Sequence, residues 1–470
     1  MSRQKELVKN TAILTFGKIC TQCVSFFLLP LYTAILDTAD YGTFDLMITC
    51  GALMLPMVGC QLDQGIFRFL IEFRNDEGKQ IELFSSSLVV EILLSIIYIS
   101  ILRLFSSIGI LQYESFLVWY VILQVFLSLL MQFERGLGNN KTYAIASFIS
   151  ASVTVIFNIF CLVILRLGLE GLFLATILGQ MFTIIYLCVV VKPRKYIKVS
   201  CINIKILKML LKYSVPLIPN ELSWWVVNVS DRIIVAYFLG VSVNGIYTVA
   251  NKFSNMFISF YNIFNLSWTE TVSLHFSDSD GDEFLSKTMS IMFKMFSCAC
   301  FVSVAAMPFI FPIMVDEQYG AAYNQIIILL YAMLFRVIVG LYSAVYIATK
   351  ETKKIAYTSA IAAVINILVN LILINRIGLY AASLSSAVAF GLMSIVRVID
   401  ISKRTNIIID KKVWNITLSI AIILAITYYM NLVILNIVIL TLVCIYTIVV
   451  NLQTLISILR IVKKSILDFL

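Results

Sequence analysis

The chain has 470 residues, 61% of them hydrophobic and only 13% charged, with a mean hydropathy of +0.97 and a formal net charge of +9. A soluble domain carries about a quarter charged residues, so this composition leaves no room for one and specifies a polytopic membrane protein. The basic excess sits between apolar runs, where it sets orientation, which argues against nucleic acid as a partner.

The apolar runs are long and continuous rather than alternating, which predicts helices and not a β-barrel. Fourteen of them reach the roughly 20 residues that a spanning helix needs. They lie near 11–36, 43–70, 83–105, 114–134, 142–165, 169–191, 210–238, 243–273, 288–314, 322–349, 355–375, 379–400, 413–431 and 433–457. The first is too long for a signal-peptide core and no small-residue cleavage site follows it, so it reads as an uncleaved span. With both termini placed in the cytoplasm, 25 of the 35 Lys and Arg fall in inside segments and 3 in outside turns. That bias predicts an even number of spans and a multi-pass protein of the cytoplasmic membrane.

The remaining cations, Lys18, Arg68, Arg232, Lys252, Lys294, Arg336 and Arg397, lie within spans or at their inner ends. A charge at bilayer depth costs roughly 3 kcal/mol on insertion scales, so each must pair, snorkel or line a hydrated cavity. Arg68 and Arg397 sit close enough to cytoplasmic ends for snorkelling.

In chain order, the first span carries a polar stripe of Thr11, Thr15, Lys18, Gln22 and Ser25 at helical spacing. The second carries Gln61, Gln64 and Arg68 on one face, with Asp45 and Asp63 also within it. Glu91 is a lone acid in the third. The basic segment from Lys192 to Lys212 joins two halves of the chain and would favour anionic lipid headgroups. Beyond it, Glu221, Asn228 and Arg232 share a face, as do Lys252, Asn255, Ser259 and Asn262. Asp231 and Glu270 add two more deep acids. Pro216 and Pro219 interrupt the start of this half's first span, and Pro308 and Pro312 the end of the ninth.

A weak repeat links the halves. Leu36 to Phe44 (LDTADYGTF) matches Leu239 to Tyr247 (LGVSVNGIY), and the run from Arg166 matches that from Arg376. The expected architecture is an all-α membrane protein of about 14 spans. Two pseudo-symmetric six-helix lobes (1–191 and 210–400) flank a basic cytoplasmic linker (192–209). Residues 401–470 add two helices and a basic tail. Paired six-helix lobes are a transporter plan with the substrate site between them.

Cys20 and Cys23 form a C-x-x-C pair without a βαβ context, and His275 is the single histidine, so no disulfide framework, metal site or cofactor is expected. No Walker A sequence occurs, which argues against ATP hydrolysis by this chain.

These residues resemble the polysaccharide-exporter (Wzx-type oligosaccharide flippase) family of the multidrug/oligosaccharidyl-lipid/polysaccharide (MOP) superfamily. The resemblance runs over nearly the whole chain. Its most specific part is KYSVPLIP from Lys212, SDRIIV from Ser230 and GIYTVA from Gly245, with LVKNT from Leu7, Asp40-Tyr41-Gly42, Asp316 to Tyr319 and Asn370 to Ala382 in support. It implies a two-lobed, MATE-like fourteen-helix fold around a cationic cavity, not an enzyme. It also implies transfer of a polyprenyl-diphosphate-linked oligosaccharide between leaflets for capsule, O-antigen or exopolysaccharide assembly, with transient contact to a polymerase and its assembly machinery.

On that reading Lys18, Arg232, Lys252, Arg336 and Arg68 are the candidate grip on the diphosphate. Gln22, Asn228, Asn255 and Asn262 are candidates for sugar hydroxyls, with Trp224, Trp225 or Trp268 packing on sugar faces or forming an interfacial belt. Glu91, Glu221, Asp231 and Glu270 are candidates for coupling to a proton, Na⁺ or the membrane potential, although Asp231 also fits simple pairing with a neighbouring cation. A cation-coupled drug antiporter of the same superfamily would need an acid-rich cavity. A membrane-embedded polymerase would need a large outer loop, and the outer turns here are short.

Overall fold

The computed structural model describes residues 26–107, 113–276 and 278–467, with backbone alone at 107, 227, 266, 352 and 453–467. Lys18, Gln22 and the C-x-x-C pair lie outside the described residues. Among those residues every regular element is a helix. In chain order they are α1 (Leu29–Ile35), α2 (Thr38–Val58), α3 (Leu62–Glu72), α4 (Glu77–Ser107), α5 (Glu114–Leu137), α6 (Asn140–Ile159), α7 (Gly168–Val191), α8 (Ile204–Ser214), α9 (Ile218–Leu239) and α10 (Val241–His275). There follow α11 (Gly281–Met314), α12 (Tyr323–Ala348), α13 (Thr352–Ile377), α14 (Tyr380–Ser402), α15 (Lys411–Met430) and α16 (Val433–Leu467).

Eleven helices among the described residues are long and apolar enough to cross a membrane, or up to twelve if a pair bent by 55° counts as one span. The protein is a multi-pass, all-helical membrane protein. α10 is 35 residues long but is not among the eleven, because its Asn, Ser and Lys stripe lowers its hydropathy.

Two expected spans are broken. The second ends at Val58 and restarts at Leu62, because Cys60 and Gln61 adopt left-handed backbone (φ 47 and 54). Pro56 prepares the break: it has no N–H to give the Ala52 carbonyl one turn back. The seventh is split by a 3-10 turn over Val215–Leu217, which holds Pro216. Pro308 and Pro312, by contrast, lie inside α11, which runs on to Met314.

By contacts the chain divides into two compact units, Met1–Thr248 and Val249–Leu470. The division falls within α10, and α9 packs on α2 inside the first unit. In the first unit α3, α4, α5 and α8 bury Leu62, Ile66, Leu70, Phe84 and Phe133. The linker is docked on this core. Ser85 Oγ donates to the Tyr196 carbonyl at 2.8 Å and accepts from the Lys198 N–H at 3.0 Å. The Asn203 N–H donates to Ser86 Oγ at 3.2 Å.

The matched turns of the repeat meet within this unit. A Cβ on Gly42 would lie 2.0 Å from the Val241 carbonyl oxygen, and one on Gly245 would lie 2.0 Å from that of Thr38. Thr38 and Val241 are themselves partners in the repeat, so the contact is reciprocal. Asn244 Nδ2 donates to the Gly42 carbonyl at 3.1 Å and closes it. Small residues that let two backbones touch are the usual basis of helix association in lipid.

In the second unit α12, α13 and α14 pack most extensively. Arg397 on α14 is 1% exposed. Its guanidinium donates to Thr358 Oγ1 (2.8 Å), the Val339 carbonyl (3.2 Å), the Ile355 carbonyl (3.3 Å) and Ser359 Oγ (3.2 Å), and also to Ser343 Oγ. Snorkelling does not describe it; the charge is buried and hydrogen-bonded to the two preceding helices.

Candidate functional site

The break after α2 opens a cavity of about 410 Å³ in the first unit, walled by α2, α3, α4, α5 and α9. Its polar lining consists of Gln61 at the left-handed turn, Asp63 on α3, Glu91 on α4, Gln124 and Ser128 on α5, and Glu221 and Asn228 on α9. Trp224 and Trp225 complete one side. The described lining holds three acidic side chains, Asp63, Glu91 and Glu221, and no Lys or Arg.

The side chains here are held by local bonds. Trp225 Nε1 donates to the Thr49 carbonyl at 3.1 Å, which fixes the indole against α2. Asn228 Nδ2 donates to the Trp224 carbonyl at 2.6 Å, and Trp224 itself is 40% exposed. Gln180 Nε2 donates to Gln124 Oε1 at 2.8 Å, so the Gln124 amide oxygen is already engaged. Gln64 Nε2 donates to Asp63 Oδ2 at 3.0 Å. Glu91 is different: the residue is 1% exposed and its Oε2 has no hydrogen-bond partner. A buried carboxyl oxygen without a partner is costly and calls for an explanation.

Arg232 is not on the cavity wall. Its NH1 donates to Asp45 Oδ1 at 2.6 Å, the two side chains being 18% and 10% exposed. Asp45 Oδ2 is buried and has no hydrogen-bond partner. Asp231, one residue before, is buried and accepts from Tyr247 Oη at 3.4 Å. Arg68 is exposed and pairs with Glu72 at 2.8 Å, one helical turn away. Such exposed pairs add little stability.

The other candidates lie in the second unit. Lys252, Asn255 and Asn262 are half-buried on α10, and Glu270 is exposed. Arg336 on α12 is half-buried, with its guanidinium 5.6 Å from the Phe390 ring centre. Trp268 is buried at 2%, and its Nε1 donates to the Leu341 carbonyl at 2.9 Å, so it forms neither a sugar platform nor an interfacial belt.

The cavity thus unites Glu91, Glu221 and Asn228 from the sequence reading. It adds Asp63, Gln61 and Gln124, which single-helix stripes do not connect. Among the described residues no group of three or more His, Cys, Asp or Glu is placed to hold a metal ion.

The fold has close counterparts. The inward closed conformation of the lipid II flippase MurJ superposes with a TM-score of 0.71 at 16% identity, covering 96% of this chain and 100% of that one. An inward-facing multidrug resistance MATE family transporter of the MOP superfamily gives 0.66 at 14% identity, covering 82% and 96%. A Vibrio cholerae MATE transporter gives 0.55 at 14% identity, covering 85% and 96%. No curated protein matches the chain. Residues 7–268, more than half of the sequence, match the polysaccharide biosynthesis protein family. With that match, which covers more than half of the sequence, the chain belongs to the polysaccharide biosynthesis protein family, and it shares its fold with these MATE transporters and with MurJ.

Proposed function

We propose that the chain is a lipid-linked oligosaccharide flippase. It carries a polyprenyl-diphosphate-linked repeat unit from the cytoplasmic to the outer leaflet of the cytoplasmic membrane by alternating access, for a capsule, O-antigen or exopolysaccharide. It moves its substrate without changing its bonds. The observation that carries this reading is the family match over 7–268, which spans both copies of the repeated turn. The fold shared with a lipid II flippase supports it.

Lys18, Lys252 and Arg336 supply charge to the diphosphate, and the polyprenyl tail stays in lipid. Arg232 is already held by Asp45, so a phosphate oxygen reaches it only by displacing that carboxylate. Of the four acids suited to coupling, Glu91 carries the strongest support: it is 1% exposed, its Oε2 has no hydrogen-bond partner, and an acid at membrane depth is a functional-site candidate. Both termini face the cytoplasm, and a polymerase receives the product.

The test is translocation of a fluorescent polyprenyl-diphosphate oligosaccharide in proteoliposomes. Movement above empty vesicles, lost together in Lys252→Ala and Arg336→Ala proteins that still fold, supports the reading. Wild-type protein that moves none of it sinks the reading.

A second reading has one specific observation in its favour. The acid-lined cavity suits an organic cation, as a drug antiporter of the superfamily would require. Uptake of tetraphenylphosphonium driven by a pH gradient, with no lipid-linked transport, would favour it.

A further inference from the structure

The cavity of the first unit has a charge that decides what can enter it. Three carboxylates face one space of about 410 Å³, within the usual range of small-molecule pockets. No cation stands among the described lining residues to offset them. A diphosphate brings two or more negative charges and finds no cation among the described lining residues. The lining chemistry matches the other end of the proposed substrate. Carboxylates and amides accept and donate to adjacent hydroxyls, and an indole covers the apolar face of a sugar ring. Trp225 is pinned by its bond to the Thr49 carbonyl, and Trp224 is exposed beside it. Glu91, at 1% exposure with its Oε2 unbonded, gives the cavity a polar atom that still lacks a partner.

We propose that this cavity is a saccharide subsite that accepts an uncharged or amine-bearing sugar of the repeat unit and rejects an acidic one. The proposal rests on the lipid-linked reading above and adds to it a rule of substrate choice. A uronate carboxylate placed beside Asp63 and Glu221 meets like charge, which disfavours it. An acetamido or hydroxyl group meets acceptors instead. An ammonium gains an ion pair.

The experiment uses the full-length protein in nanodiscs. It is titrated with polyprenyl diphosphate bearing N-acetylglucosamine, glucosamine or glucuronic acid, and with sugar-free polyprenyl diphosphate. The first two are expected to bind about tenfold tighter, or more, than the glucuronate probe. Glu221→Gln, at an exposed position, is expected to narrow that gap. Equal affinity for the three sugars overturns the subsite's charge rule and leaves the flippase reading standing. Sugar probes no tighter than the sugar-free lipid overturn the subsite itself. Binding of none of the four overturns both. The wild-type ratio decides the matter even if the variant does not fold.

Discussion

Gly42 and Gly245 occupy equivalent places in the internal repeat, and each lies against the backbone of the other's helix. The space is too small for a Cβ on either side, and the obstructing atom is a backbone carbonyl that no rotamer change can move. Two copies of one turn therefore meet about a local pseudo-two-fold, with Asn244 bridging to the Gly42 carbonyl. Gly42→Ala and Gly245→Ala should each destabilise the protein by about 1–3 kcal/mol, the usual cost of overpacking. The two losses should be similar because the contacts are reciprocal. Thermal unfolding in detergent measures both, and a cost at one position only would refute the reciprocity.

The Asp45–Arg232 pair gives a second test. Asp45→Ala leaves a largely buried guanidinium without its carboxylate and should cost about 3–5 kcal/mol, the typical penalty for breaking a buried pair. Asp45→Leu combined with Arg232→Met should recover much of that loss. A double-mutant cycle on unfolding reports the coupling, and additive losses would show that the pair contributes nothing as a pair.

Arg397 should tolerate no neutral replacement. Arg397→Ala strands the Thr358, Ser343 and Ser359 hydroxyls and the Val339 and Ile355 carbonyls, and should cost about 3–5 kcal/mol. Arg397→Lys keeps the charge but lacks the planar fork, so it should recover only part. Unfolding midpoints of the two variants rank the effect; an Ala variant as stable as wild type would refute it.

The turn between α12 and α13 predicts a pH dependence. The Arg404 guanidinium bonded to Glu351 holds this carboxyl below its usual range, and Lys354 at 3.2 Å adds to the effect. Asp400 shares both cations, at 3.5 Å from Lys354 and in direct contact with Arg404. A depressed folded-state value means that Glu351 stabilises the fold above the unfolded carboxyl value, about 4.3. That contribution is lost as the pH falls through the lower folded value. Unfolding followed from pH 7 to pH 3 should show a Glu351→Gln protein losing less stability than wild type in the acid range. Parallel curves would count against it.

Apolar run length made the helices visible in the sequence, because lipid demands about 20 apolar residues whatever they pack on. The break at Cys60–Gln61 was not visible, since neither residue is the glycine that usually marks left-handed backbone. Polar spacing placed Glu221 and Asn228 on one face of α9, and that face does line the cavity. Spacing within a helix says nothing of partners in other helices. Asp45 and Arg232 are 187 positions apart, and only the packing of α9 on α2 joins them. Trp268 illustrates the converse: a tryptophan near a span's end reads as interfacial, and here a carbonyl of α12 takes its N–H inside the fold.

The five acceptors of Arg397 all precede it in the chain, on α12 and α13. A chain made from its N-terminus delivers them to the membrane before the guanidinium arrives. The last helix of the trio therefore never has to carry a bare charge into lipid; it closes on a socket that its predecessors have already built. Reversing the order of these helices by circular permutation would preserve every contact of the finished protein and yet deprive the arginine of its place to land.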